Sequence, residues 1–175
     1  MPPVLLLAPG ASGTVAGLRG HVRGLAARGV EAHAIQLPRG SAERALPVYR
    51  SAVKPANAGD TVIGGHSFGG RVASLLAAEL PVAGLVLLSY PLHRPGHPET
   101  WEARTDHWPR IACPVLVLSG ESDPFARIEL LRLAVQRLPR AELVTYPGVR
   151  HGIGPVLDDA LDRIAAWMAR LEAGS

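Results

Sequence analysis

The stretch Thr61-Val62-Ile63-Gly64-Gly65-His66-Ser67-Phe68-Gly69-Gly70-Arg71 decides the fold. An apolar run closes on Gly-His-Ser-Phe-Gly, and an Ala/Leu-rich segment with helical spacing follows through residue 80. The order is strand, sharp turn, helix, with Ser67 at the apex. The spacing is G-x-S-x-G, the pattern of a nucleophile elbow. Its logic is steric. A strained apical residue stands clear of the sheet, and a Cβ two residues before or after it would strike the neighbouring strand or helix. Gly65 and Gly69 meet that demand. The turn also sets Ser67 at a helix N-terminus, where unbonded N–H groups favour developing negative charge.

Outward from the elbow, apolar runs and helical patterns alternate. Residues 4–8 read as a strand buried on both faces and residues 14–28 as a helix. Residues 31–37 alternate like a less buried strand, and residues 41–57 read as a helix interrupted near Pro47. Beyond the elbow strand (61–65) and its helix (68–80), strands are expected at 82–89, 114–119 and 141–146. Helices are expected at 125–138 and 155–171, the latter carrying Leu157, Leu161, Ile164, Trp167 and Met168 on its inner face. Six strands alternating with helices predict an α/β fold: a three-layer sandwich, a parallel sheet covered on both faces, linked by right-handed crossovers. No repeat, low-complexity run or linker interrupts residues 1–175, which read as a single domain.

Composition narrows the function. The chain has 175 residues and a formal net charge of +3, with 17 arginines against the single Lys54. The arginines are spread along the chain rather than clustered, so nucleic acid is not an expected partner. The one cysteine, Cys113, excludes an internal disulfide and reads as core. The first apolar run is too short for a signal peptide or a membrane span, so a cytoplasmic location without membrane attachment is expected.

In parallel sheets, ligands sit beyond the carboxyl ends of the strands. Three such loops carry chemistry: Ser67 follows the third strand, Asp123 the fifth and His151 the sixth. A serine hydroxyl is too weak an acid to attack unaided. An imidazole can take its proton near neutral pH and return it to a leaving group, and a buried carboxylate fixes the imidazole tautomer. Ser67 is thus the expected nucleophile, His151 the base and Asp123 the acid, with Glu121 the fallback acid two residues earlier. Asp123 before Pro124 also fits a helix cap, and His151 before Gly152 fits a turn. The N–H of Phe68 is one expected oxyanion donor, and Ala11, in the loop after the first strand, is the choice for the second.

With these residues in place, the chain resembles the α/β-hydrolase superfamily over nearly its whole length, and within it the small, dienelactone-hydrolase-like branch. More narrowly, it resembles the hydrolase-like domain shared by a testis-expressed protein and subunit three of the NSL histone-acetyltransferase complex, a domain also found in small bacterial hydrolases. The elbow is generic. The narrow marker is Ser89-Tyr90-Pro91-Leu92-His93-Arg94-Pro95-Gly96, supported by Leu6-Leu7-Ala8-Pro9-Gly10-Ala11, Asp106-His107 and the run Cys113 to Gly120. The resemblance implies the strand order 2-1-3-4-5-6 and assigns nucleophile, acid and base to Ser67, Asp123 and His151. Pro9-Gly10 stands where relatives often carry His-Gly, which alters the oxyanion loop. A chain of 175 residues has no room for a cap domain, which favours small or extended acyl substrates.

Residues 90–110 form the longest irregular segment. As a lid it would bring Tyr90, Leu92 and His93 against substrate; the alternative is a packed surface loop. A zinc site on His93 and His97 is disfavoured, because Pro95 and Pro98 forbid a helix that presents both. No cofactor or metal is expected. The leading function is a serine hydrolase acting on a small-molecule ester or thioester; the competing one is a non-catalytic binding module. Gly10-Ala11-Ser12-Gly13 lacks the dinucleotide-binding spacing, and no P-loop is present. The sequence is silent on oligomeric state.

Overall fold

The computed structural model describes residues 1–174. Six strands form one parallel sheet: β1 (Val4–Ala8), β2 (Ala32–Ala34), β3 (Thr61–His66), β4 (Gly84–Leu88), β5 (Val115–Gly120) and β6 (Ala141–Tyr146). Their spatial order is β2-β1-β3-β4-β5-β6. Six α-helices cover it: α1 (Arg19–Ala26), α2 (Ala42–Ala52), α3 (Phe68–Ala77), α4 (Trp101–Arg104), α5 (Ile128–Val135) and α6 (Leu157–Ala173). There is no cap.

Strand alternation splits the interior into two cores. Ile63, Leu85, Leu87, Val115 and Val117 face α2, α3 and α5. Leu5, Leu7, Val62, Val86, Leu88, Leu116 and Leu118 face α1 and α6. A strand with apolar residues at every position must be buried on both sides, and a helix layer on each face satisfies that need. Right-handed crossovers distribute the helices in this way. α6 meets its layer with Ala160, Leu161, Ile164, Trp167 and Met168 buried. Gly24 of α1 touches Leu161, where a Cβ would collide, so its small size lets α1 lie close against α6.

Tyr49 bolts α2 to the sheet. It is fully buried, and its hydroxyl lies 2.9 Å from the Leu6 carbonyl and 2.7 Å from the Gly64 carbonyl while accepting the Gly64 N–H at 2.9 Å. This arrangement satisfies polar groups of the two strands that lead to the site. α2 runs unbroken through Pro47, contrary to the expected interruption. Pro47 removes one N–H from the middle of the helix, but burial of Ala42, Ala45 and Tyr49 on one face holds the helix regular across it. β2 is shorter than expected, three residues instead of seven, because only its first half pairs with β1.

Residues 90–110 fold into short turns around α4, and much of this segment is core. Tyr90, Leu92, His93, Thr105, His107 and Trp108 are all buried. Tyr90 packs edge-on against Trp108 with ring centroids 4.9 Å apart. Among the described residues, no helix is long and apolar enough to cross a membrane.

Candidate active site

Ser67 sits between β3 and α3 with φ 50° and ψ −116°. A non-glycine residue holds a positive φ only when its surroundings over-determine it, and here the anchors are backbone. The Ser67 N–H donates to the Leu88 carbonyl at 2.8 Å, and the Ser67 carbonyl accepts from Arg71 N–H at 3.0 Å. A Cβ on Gly65 would lie 2.6 Å from the Ala8 carbonyl oxygen, and one on Gly69 would strike the same oxygen. The glycines of the motif therefore let the start of α3 rest directly on the backbone of β1.

The loops after β5 and β6 meet at this point. Glu121 N–H donates to the Tyr146 carbonyl and Ser122 N–H to the Val149 carbonyl, at 2.9 and 3.0 Å. His151 lies between them and Ser67. Its Nε2 is 2.9 Å from Ser67 Oγ, and its Nδ1 is 2.8 Å from Asp123 Oδ2. The Asp123 side chain is fully buried. Its other oxygen accepts the Phe125 N–H at 2.8 Å, so the carboxylate both caps a turn and holds the imidazole. A carboxylate accepts only, so Nδ1 carries a proton and Nε2 is left to accept from the serine. Glu121, the fallback acid, accepts from Thr145 Oγ1 at 2.7 Å and does not touch His151.

Phe68 opens α3, so its N–H has no intrahelical acceptor. Phe68, Ala11 and Ser67 line one open cleft of about 310 Å³. The two expected donors and the hydroxyl thus border the same space.

A family model described as an alpha/beta hydrolase domain matches residues 33–168. The chain belongs to the alpha/beta hydrolase family. A search of curated proteins found no match. Among solved structures, the chain is similar to a monoacylglycerol lipase from Paleococcus ferrophilus, with a TM-score of 0.82, 17% identity, and coverage of 95% of this chain and 94% of that one. It is also similar to Est1E from Butyrivibrio proteoclasticus with ferulic acid bound, with a TM-score of 0.77, 17% identity, and coverage of 98% and 90%. A third is esterase 2 of Thermogutta terrifontis phosphonylated by sarin, with a TM-score of 0.73, 18% identity, and coverage of 97% and 84%. These likenesses establish the shared fold.

Within this hydrolase fold the reading of Tyr90, Leu92 and His93 as substrate contacts is corrected. Tyr90 and Leu92 are fully buried and His93 is 1% exposed. The Tyr90 hydroxyl donates to the Arg104 carbonyl at 2.6 Å. His93 Nδ1 donates to the Arg94 carbonyl at 2.9 Å, and Nε2 accepts the Arg127 N–H at 3.0 Å. Both ring nitrogens are spent on backbone. These side chains pin the segment under the surface, so they shape the cleft from below without lining it.

Two further residues matter that the sequence reading passed over. Ser89, at the end of β4, also has φ 50° and is fully buried. Its Oγ accepts the N–H of Gly152 at 3.1 Å, which fixes the residue next to His151. His66 lies 5.3 Å from the His151 ring, centroid to centroid. Burial, with the neighbouring His151 and His21, pushes its pKa down to about 4, so it is neutral near pH 7. With His21 it borders a second cavity of about 200 Å³, lined also by Pro9, Gly10 and Ile153. Burial raises the Cys113 thiol to about 11, which leaves it protonated, in a partly buried position packed against the core.

Proposed function

We propose that the protein is a serine hydrolase that cleaves a small ester or thioester through an acyl-enzyme, with Ser67 as nucleophile, His151 as base and Asp123 as its orienting acid. The observation that carries this reading is the continuous chain of bonds from Ser67 Oγ to His151 at 2.9 Å and from His151 to Asp123 at 2.8 Å. As Ser67 Oγ adds to the acyl carbon, its proton passes to His151 Nε2. The carbonyl oxygen becomes an oxyanion facing the N–H groups of Phe68 and Ala11. The C–O or C–S bond then breaks, and His151 returns the proton to the leaving alcohol or thiol. A water takes the place of the alcohol or thiol and adds to the acyl carbon as its proton passes to His151; the bond from that carbon to Ser67 Oγ then breaks, and His151 returns the proton to Oγ as the acid leaves. Asp123 keeps the imidazole in the required tautomer throughout.

Within the family we place the chain near the dienelactone-hydrolase-like branch and its NSL-subunit-three-type relatives, on the run from Ser89 to Gly96. The proposed setting is the cytoplasm, and the proposed partner is a small-molecule acyl substrate. Structural neighbours named lipase and esterase are consistent with ester chemistry on this fold. The test is labelling by a fluorophosphonate probe, wild type beside Ser67→Ala, with 4-nitrophenyl acetate turnover followed in parallel. Labelling and turnover in the wild type alone support the reading. A folded wild type that neither labels nor turns over overturns it and leaves a non-catalytic binding module.

A further inference from the structure

The cleft beside Ser67 has a second wall, and it is cationic. Arg71, Arg94 and Arg104 line the cleft together with Phe68 and Ala11. The same three residues continue into an adjoining cavity of about 300 Å³ with Thr100 and Ala103. The fold gathers them from separate places. Arg71 lies in the first turn of α3, four residues after Ser67 and so on the same side, about one 5.4 Å turn along the axis. Arg94 and Arg104 come from the 90–110 segment.

Among the described residues, none of the three guanidinium groups makes an ion pair; those pairs involve Arg28, Arg50, Arg132, Arg137, Arg163 and Arg170. The Nε of Arg71 is buried with no hydrogen-bond partner. A buried donor without a partner carries a desolvation cost that a hydrogen-bond acceptor relieves. Arg104 is held in position at both ends: its side chain donates to the Pro91 carbonyl at 3.1 Å, and its own carbonyl accepts from the Tyr90 hydroxyl. One carboxylate, Glu43, borders the cleft; its own backbone N–H, Ser41 and the charge of Arg71 hold its carboxyl below the usual range, so it offsets Arg71 in part and forms no ion pair with Arg94 or Arg104 among the described residues. Burial and the charges of Arg71 and Arg94 depress the Arg104 guanidinium, so the cluster stands against its own repulsion. An anion relieves all of these costs together, and guanidinium groups bind carboxylate and phosphate through paired N–H donors.

We propose that Arg71, Arg94 and Arg104 form an anion-binding subsite, and that the ester or thioester cleaved at Ser67 carries a carboxylate or phosphate a few bonds from its reacting carbonyl. This rests on the serine-hydrolase reading, and the experiment separates the two. Binding is measured calorimetrically on Ser67→Ala, which performs no chemistry, with matched esters. The carboxylate arm compares mono-4-nitrophenyl adipate with 4-nitrophenyl hexanoate. The phosphate arm compares 1-acetylglycerol 3-phosphate with 1-acetylglycerol. Turnover of the same esters is measured on the chain with Ser67 intact.

In at least one arm the charged ester binds about tenfold more tightly than its neutral match at low salt. That preference shrinks in about 0.5 M salt, where charge is screened within a few ångströms. Arg94→Gln and Arg104→Gln each reduce it severalfold, whereas Arg110→Gln, exposed and outside the cleft, retains it. Arg94 is exposed, so its variant folds even if the Arg104 variant does not. Equal binding of charged and neutral esters in both arms overturns the proposal, as does a preference insensitive to Arg94→Gln and to salt. Charge-selective binding without turnover of any ester upholds the anion site and removes the hydrolase reading. The arm that shows the preference identifies the anion.

Discussion

Two neighbouring strands of this sheet end in the same way. β3 delivers Ser67 and β4 delivers Ser89, and both serines hold φ 50°. One hydroxyl reaches out to His151. The other is buried and reaches across to the N–H of the residue after His151. The same backbone strain serves, under the proposed reading, to present one serine as the nucleophile and to make the other a strut beside the histidine. The difference lies in the residues after each turn. Beyond Ser67 the chain enters α3 through two glycines and leaves the hydroxyl facing open space. Beyond Ser89 it enters Tyr90-Pro91-Leu92, which is packed into the core.

The largest effect should come from Ser67→Ala, which removes fluorophosphonate labelling and lowers ester turnover by roughly 10³-fold or more. Ser89→Ala should leave the label in place. Equal loss from both would erase the distinction between nucleophile and strut. Next in size is Gly69→Ala, whose Cβ would strike the Ala8 backbone. A destabilisation beyond about 4 kcal/mol, or insoluble expression, is expected. Gly17→Ala has free space around the new methyl group and should fold normally.

The rings beside the two serines give a third comparison. His66 precedes Ser67 with its pKa held down at about 4 against 6.5 for an unperturbed histidine. Unfolding therefore takes up a proton below about pH 6.5, so stability is full above that value and falls with pH until it levels off near 4. The half-buried ring should contribute about 2 kcal/mol to that loss. Denaturant midpoints from pH 7.5 to 4 test this, and His66→Asn should flatten the slope. The smallest effect belongs to the strut. Ser89→Ala leaves the Gly152 N–H unpaired and should cost about 1 kcal/mol, with turnover down severalfold and KM little changed. Ser89→Gly loses the same bond but relaxes the positive φ, so its melting temperature should lie above that of Ser89→Ala.

Much of this was legible in the chain. The apolar runs at 4–8 and 141–146 became strands with those bounds. The strand-end positions of Ser67, Asp123 and His151 were readable because parallel topology sends those ends to one edge. Periodicity carries no information about irregular backbone, so residues 90–110 could not be sorted into lid or core from their sequence. Their burial is decided by contacts such as Tyr90 with Trp108, eighteen positions apart. The cationic wall was hidden for a related reason. Arg71, Arg94 and Arg104 form no run, and a scatter of arginines looks alike whether or not the fold gathers three of them. Ser89 was invisible as a strut because its partner, Gly152, lies 63 residues away.

The contact between the elbow glycines and the backbone of β1 has a mechanical consequence. Side chains cushion most joints in a protein, since a rotamer can swing to absorb a small displacement. Where Gly65 and Gly69 rest on Ala8, no such cushion exists. Any shift of β1 is passed on undamped, so Ser67 and the loop that carries Ala11 travel as one rigid body. Their separation is nearly constant while the molecule breathes. His151 hangs from the same frame, because the residue after it is bonded to Ser89, whose strand neighbour Leu88 accepts the Ser67 N–H. Serine and imidazole are thus cantilevered from one beam, the end of β4.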